Sequence, residues 1–151
     1  MITCDKIMNN VPLTVRPTLG VRELAELFLT KSVESACVVD QESLVGVVTS
    51  MDLVFQEKQI HLPTFVHFLN GLLPLEPFSD RTRKELDKVA GATVAEIMTR
   101  RPVTVRPDTP VSEAATLMVE RHLSILPVVE NGRLLGAVTK PSLLRHYIEH
   151  S

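Results

Sequence analysis

"IMTRRPVTVRPDTPVSEAATLMVERHLSILPVVENGRLLGAVTKPSL", Ile97 to Leu143, aligns without a gap to "IMNNVPLTVRPTLGVRELAELFLTKSVESACVVDQESLVGVVTSMDL", Ile7 to Leu53. About 18 of the 47 aligned positions are identical, including "TVRP", the paired valines at 38–39 and 128–129, Gly46 with Gly136, and Thr49 with Thr139. Self-similarity at this level marks a tandem repeat, and each unit is too small to bury its apolar face alone.

Both copies read the same way from their patterns. "PLTVRP" and "PVTVRP" are short β-rich runs closed by proline. Val21, Leu24, Ala25, Leu27 and Phe28 fall on one face of a helix, as do Val111, Ala114, Ala115, Met118 and Val119. Two strands follow in each copy, joined by a short polar turn that is clearest at Asn131-Gly132, and a second helix follows each threonine. The expected order is β-α-β-β-α, twice. The first repeat is assigned to 1–60 and the second to 92–151, with a helical insert at 61–91. In the insert, Thr64 to Leu72 reads as a short apolar helix and Arg81 to Ala90 as a charged amphipathic one. Leu69, Leu72, Leu73 and Phe78 are too apolar for a solvated linker.

The chain has 151 residues, 44% of them hydrophobic, and the apolar content is aliphatic, with no Trp and one Tyr. That favours strands buried under helices over an aromatic platform for nucleic acid. A net charge of -2 gives no electrostatic footprint for DNA or RNA. No apolar run approaches the ~20 residues of a membrane-spanning helix. "MITCDKIMNN" opens on methionine as a complete product would, and lacks the apolar core of a signal peptide. A cytoplasmic protein with no nucleic-acid or membrane partner is expected. Cys4 and Cys37, far apart in sequence, are expected to be buried thiols.

The repeat unit, carried by "IMTRRPVTVRPDTPVSEAATLMVERHLSILPVVENGRLLGAVT" and its first-copy counterpart, resembles the cystathionine β-synthase (CBS) domain. The tandem is similar to a stand-alone regulatory CBS-domain pair, and the resemblance covers all but the insert. It implies an α/β fold of two β-α-β-β-α repeats related by a pseudo-two-fold axis, with two clefts between them and a tendency to form a homodimer. It also implies a sensor and not an enzyme. The expected ligand is an adenosine compound, AMP first and otherwise ADP, ATP or S-adenosylmethionine, with no cofactor required. The chain carries no effector domain of its own, so output would pass to an unidentified effector protein or to an oligomeric state.

The chemistry concentrates in "VVTSMDL". A strand delivers Thr49 to a helix start, where free amides and the dipole suit a phosphate. Asp52, three residues on, offers two acceptor oxygens to the vicinal hydroxyls of a ribose. The same Thr-x-x-Asp spacing is also a helix capping box, which needs no ligand. The resemblance assigns Thr49 and Asp52 to one cleft with Val103, Thr104, Leu123, Ser124, Ile125 and Pro127. There, aliphatic side chains would sandwich the base and backbone groups would read its edge. A weaker second cleft would join Thr139 and Ser142 with Leu13, Thr14, Val33, Glu34, Ser35 and Cys37. It departs from the family pattern three times: Ser142 for the carboxylate, Glu34 where the other copy has Ser124, and Cys37 for a proline. The rival reading is a ligand-free structural or adaptor module that dimerises through its helices, with Thr49 and Asp52 serving only as a cap.

Other constellations are weaker. His146 and His150 share a helix face as zinc ligands would, but the sequence places no third ligand, and no metal site is assigned. His61 and His67 do not share a face well. Arg16 and Arg106, present in both copies, are expected to pair with an acid, and Lys140 to be exposed. No nucleophile elbow, P-loop or dinucleotide glycine fingerprint occurs.

Overall fold

The computed structural model describes residues 1–55 and 92–150. The expected insert helices, and with them Leu69, Leu72, Leu73, Phe78, His61 and His67, lie outside the described residues. The elements are α1 (Cys4–Ile7), β1 (Thr14–Val15), α2 (Val21–Lys31), β2 (Ser35–Asp40), β3 (Ser43–Thr49) and α3 (Ser50–Phe55) in the first copy. The second copy carries α4 (Val94–Ile97), β4 (Thr99–Arg100), α5 (Val111–Glu120), β5 (Ile125–Glu130), β6 (Arg133–Thr139) and α6 (Lys140–His150).

The chain divides into two compact units, and each draws on both copies. The first unit comprises Met1–Val15, Ser35–Val47 and Thr99–Ser151. Its strands pair in the order β1-β2-β3-β6-β5, with β4 beside β3. Its main apolar cluster holds Cys4, Val105, Ala114, Met118, Leu126, Val128 and Val138. α1 opens the first copy yet docks on the second: Cys4 N–H donates to Thr109 O (2.8 Å), and Asn9 and Ala137 exchange backbone bonds of 2.8 and 3.0 Å.

The second unit comprises Arg16–Glu34 and Val48–Met98. Here Val21, Leu24, Ala25 and Phe28 of α2 are buried, as are Val48, Leu53, Val94 and Ile97. The exchange seen in the first unit recurs with the copies interchanged. α4, which opens the second copy, docks on the first through Val94 N–H to Leu19 O (2.8 Å) and Ala95 N–H to Pro17 O (2.9 Å). The free amides at each short helix start are thereby satisfied by the turn that follows "TVRP".

α2 and α5 end alike, in Schellman motifs without glycine. Ser32 and His122 adopt left-handed φ (54° each). The next amides, Val33 and Leu123, return to Phe28 O (3.1 Å) and Met118 O (2.9 Å). Two expectations need correction. Val119 is 73% exposed, because it lies at the edge of the α5 stripe and not on its buried face. "PVTVRP" forms only an isolated parallel bridge, Val105 to Val128, where the first copy has the short strand β1.

The two hairpins differ in strain. Asn131 and Gly132 (φ 54° and 81°) form the left-handed pair a two-residue hairpin requires, and Gln41 and Glu42 (φ 50° and 70°) do so without glycine. Glu42→Gly is therefore expected to stabilise the protein by about 0.5–1 kcal/mol in urea denaturation. The ion pair it removes among the described residues, Arg133 Nη2 to Glu42 Oε2 at 4.0 Å, is exposed and worth little.

Candidate functional site

The two threonine turns make the same bonds with different side chains. In the second unit, Thr49 N–H donates to Asp52 Oδ2 at 2.8 Å, and the Thr49 hydroxyl donates to the same oxygen at 3.3 Å. In the first unit, Thr139 N–H donates to Ser142 Oγ at 3.1 Å, and the two hydroxyls lie 3.2 Å apart. Position 52 or 142 thus reaches back to close the start of α3 or α6, as a capping box does.

What remains after capping separates the copies. Ser142 is 1% exposed and its single oxygen is engaged. Asp52 is half-buried, and Oδ1 has no partner among the described residues. One turn therefore keeps an open carboxylate oxygen, and the other is sealed. The start of α3 offers fewer free amides than its sequence suggests, since Ser50 N–H is bonded to Glu34 O at 2.9 Å.

Burial raises the Asp52 carboxyl above its ordinary value, and the hydrogen bonds from Thr49 oppose that rise. A raised folded value means that this group's contribution to stability is present below the unfolded carboxyl value and lost as pH rises through the folded one. Asp52→Asn keeps an acceptor for Thr49 N–H and removes the charge. Urea denaturation should show the variant gaining stability relative to wild type as pH rises out of the acidic range.

The remaining residues assigned to the first cleft lie in the first unit. Leu123 and Ser124 are half-buried ahead of β5, Thr104 is exposed, and Val103 packs against the main cluster. Ile125 is core, clustered with Cys37 and Ala137. Pro127 is buried within β5. In the first copy, Cys37 N–H donates to Leu13 O at 2.9 Å. Pro127 occupies the matching position and has no N–H, so the equivalent bond to Val103 O cannot form. Among the described residues Val103 keeps an open carbonyl where Leu13 has a filled one. The backbone bond gives the proline-to-cysteine departure at position 37 its physical meaning. Of the second-cleft residues, the first unit holds Leu13, Thr14, Ser35, Cys37, Thr139 and Ser142, while Val33 and Glu34 are exposed in the second unit.

The other candidates are structural. Both cysteines are buried free thiols, with burial pushing Cys4 up to about 11 and Cys37 to about 12. The His146 and His150 rings stack at 4.4 Å, and His150 Nδ1 lies 3.0 Å from His146 O. No group of three metal-ligating side chains occurs among the described residues. Arg106 pairs with Asp108 at 3.6 Å, both well exposed. Among the described residues no helix is long and apolar enough to cross a membrane.

The CBS domain family model matches residues 4–57 and 94–149, so the chain belongs to that family as a tandem pair. It is 31% identical over 137 residues to the chloroplastic CBS domain-containing protein CBSX2 of Arabidopsis thaliana, covering 87% of this chain but only 56% of that protein. It is 26% identical to protein MJ1426 of Methanocaldococcus jannaschii, covering 91% of this chain and 86% of the relative. Among solved structures it resembles CBSX2 in complex with AMP, with a TM-score of 0.75, 28% identity, and 99% and 98% of the two chains covered.

Proposed function

We propose that the protein is a regulatory sensor that binds an adenosine-containing ligand, AMP first, at the first-copy turn, and that it is not an enzyme. Asp52 Oδ1 and the Thr49 hydroxyl hold the ribose end. The open Val103 carbonyl accepts from the adenine 6-amino group beside the aliphatic side chains of Leu123 and Pro127, with Thr104, Ser124 and Ile125 completing that part of the site. The observation that carries this reading is the Asp52 oxygen that has no partner among the described residues, in a turn whose twin is sealed by Ser142. The AMP complex of the similar CBSX2 supports the ligand class. ADP and ATP rank below AMP, because the start of α3 has amides already occupied and the chain is acidic overall, and S-adenosylmethionine stands as the phosphate-free alternative. Thr139 and Ser142, with Leu13, Thr14 and Ser35, form at most a weaker second site.

The sensor works as a cytoplasmic homodimer and passes its state to a separate effector protein. Ligand shifts its geometry only through differential affinity for two states. The test is a thermal-shift panel. AMP at about a hundred times its dissociation constant should raise the melting temperature by about 5–10 °C. The 6-oxo analogue IMP, which places an acceptor against the Val103 carbonyl where AMP has its amino donor, should raise it far less. A melting temperature unmoved by every adenosine compound supports the ligand-free adaptor instead.

A further inference from the structure

The histidines of "HYIEH", His146 and His150, stand four apart on α6, which places both imidazoles on one face. Their ring centroids are 4.4 Å apart. His150 Nδ1 lies 3.0 Å from His146 O. A carbonyl only accepts, so in the neutral ring Nδ1 carries the proton and Nε2 keeps its lone pair. Metal-binding imidazoles are commonly oriented by such a bond from the other ring nitrogen. His146 Nδ1 is buried and has no hydrogen-bond partner among the described residues. Buried polar atoms are ordinarily partnered, and an ion is among the few groups that account for one that is not. Both rings line a groove of about 650 Å³ along α6 and the start of α5, together with Ile2, Val111 and Tyr147. No carboxylate lines it among the described residues, so it lacks the oxygen donors that Mg²⁺ or Ca²⁺ requires.

We propose that His146 and His150 chelate one divalent late-transition-metal ion, with water completing its coordination. Imidazole nitrogen suits copper, nickel and zinc, and the general order of divalent affinities puts Cu²⁺ first. The two side chains share a face only while the end of α6 is helical. The ion therefore pins the C-terminal end of the helix, where helices fray most readily. The site lies within one copy of the chain and is independent of the adenosine ligand.

The chain carries its own probe of this site: it has no Trp, and its single Tyr, Tyr147, stands between the two histidines. Bound Cu²⁺ quenches a nearby tyrosine, so copper chloride titrated into the full chain should quench Tyr147 fluorescence saturably at one ion per chain. His146→Ala and His150→Ala should each raise the midpoint at least about tenfold, because a second ligand held at close range is lost. Arg145→His combined with His146→Ala keeps two histidines but sets them five apart, on different faces, and should bind no better than His146→Ala. Electron paramagnetic resonance of the copper-saturated wild type should show two imidazole nitrogens on the metal. His150 is exposed, so His150→Ala keeps the fold and carries the test even if His146→Ala melts lower. Quenching that does not saturate, a midpoint indifferent to His150→Ala, or a relocated pair as tight as the wild type would overturn the site.

Discussion

Asp52→Ala binds AMP about 10- to 100-fold more weakly than the wild type in equilibrium dialysis, while Ser142→Ala changes the affinity little. The magnitude follows from removing a charged acceptor: hydrogen bonds to an ionised group contribute about 1.5–3 kcal/mol, and losing their acceptor strands the ribose donors. The variant also loses the bonds from Thr49 N–H and Oγ1, so its melting temperature falls by an amount matching about 1 kcal/mol of lost capping. Asp52→Asn separates the two effects, because the amide can still accept from Thr49 while presenting no charge to the diol. An affinity unchanged in Asp52→Ala would reduce the carboxylate to a cap, equivalent to Ser142.

Gly136→Ala destabilises the protein by about 1–3 kcal/mol in urea denaturation, the scale of an overpacked core, with a melting temperature lower by several degrees. A Cβ at Gly136 would stand 2.6 Å from Asn9 O and 2.7 Å from Met8 Sδ. Asn9 O is also the acceptor for Ala137 N–H. The backbone therefore cannot yield without opening the bridge that docks the N-terminal segment on the second copy. Gly132→Ala makes a useful contrast, since nothing lies within 4 Å of a Cβ there and its cost is the left-handed φ alone. A neutral Gly136→Ala would mean that the N-terminal segment is not held as described.

The fold was legible because the apolar positions recur in register across two copies. Val21, Leu24, Ala25, Leu27 and Phe28 announce a helix face, and all are buried but Leu27, which is half-buried at its edge. The exchange of α1 and α4 between copies was not legible, because backbone bonds such as Cys4 N–H to Thr109 O leave no side-chain pattern. The helix ends were hidden for a related reason: Ser32 and His122 take the left-handed conformation that glycine usually marks. At the site, the Thr-x-x-Asp spacing disclosed both a cap and a ribose clamp without separating them. The distinction lies in the second carboxylate oxygen, which a serine does not have. The significance of Pro127 was equally hidden. Only the bond from Cys37 N–H to Leu13 O shows which acceptor a proline at that position leaves open.

The central claim is that this chain binds an adenosine ligand through the first-copy turn and not through its sealed twin. Isothermal titration of AMP into the wild-type protein tests it most directly. Saturable heat at one AMP per chain is the predicted result. Two equivalent sites per chain, or no saturable heat with AMP, ATP or S-adenosylmethionine, would contradict it.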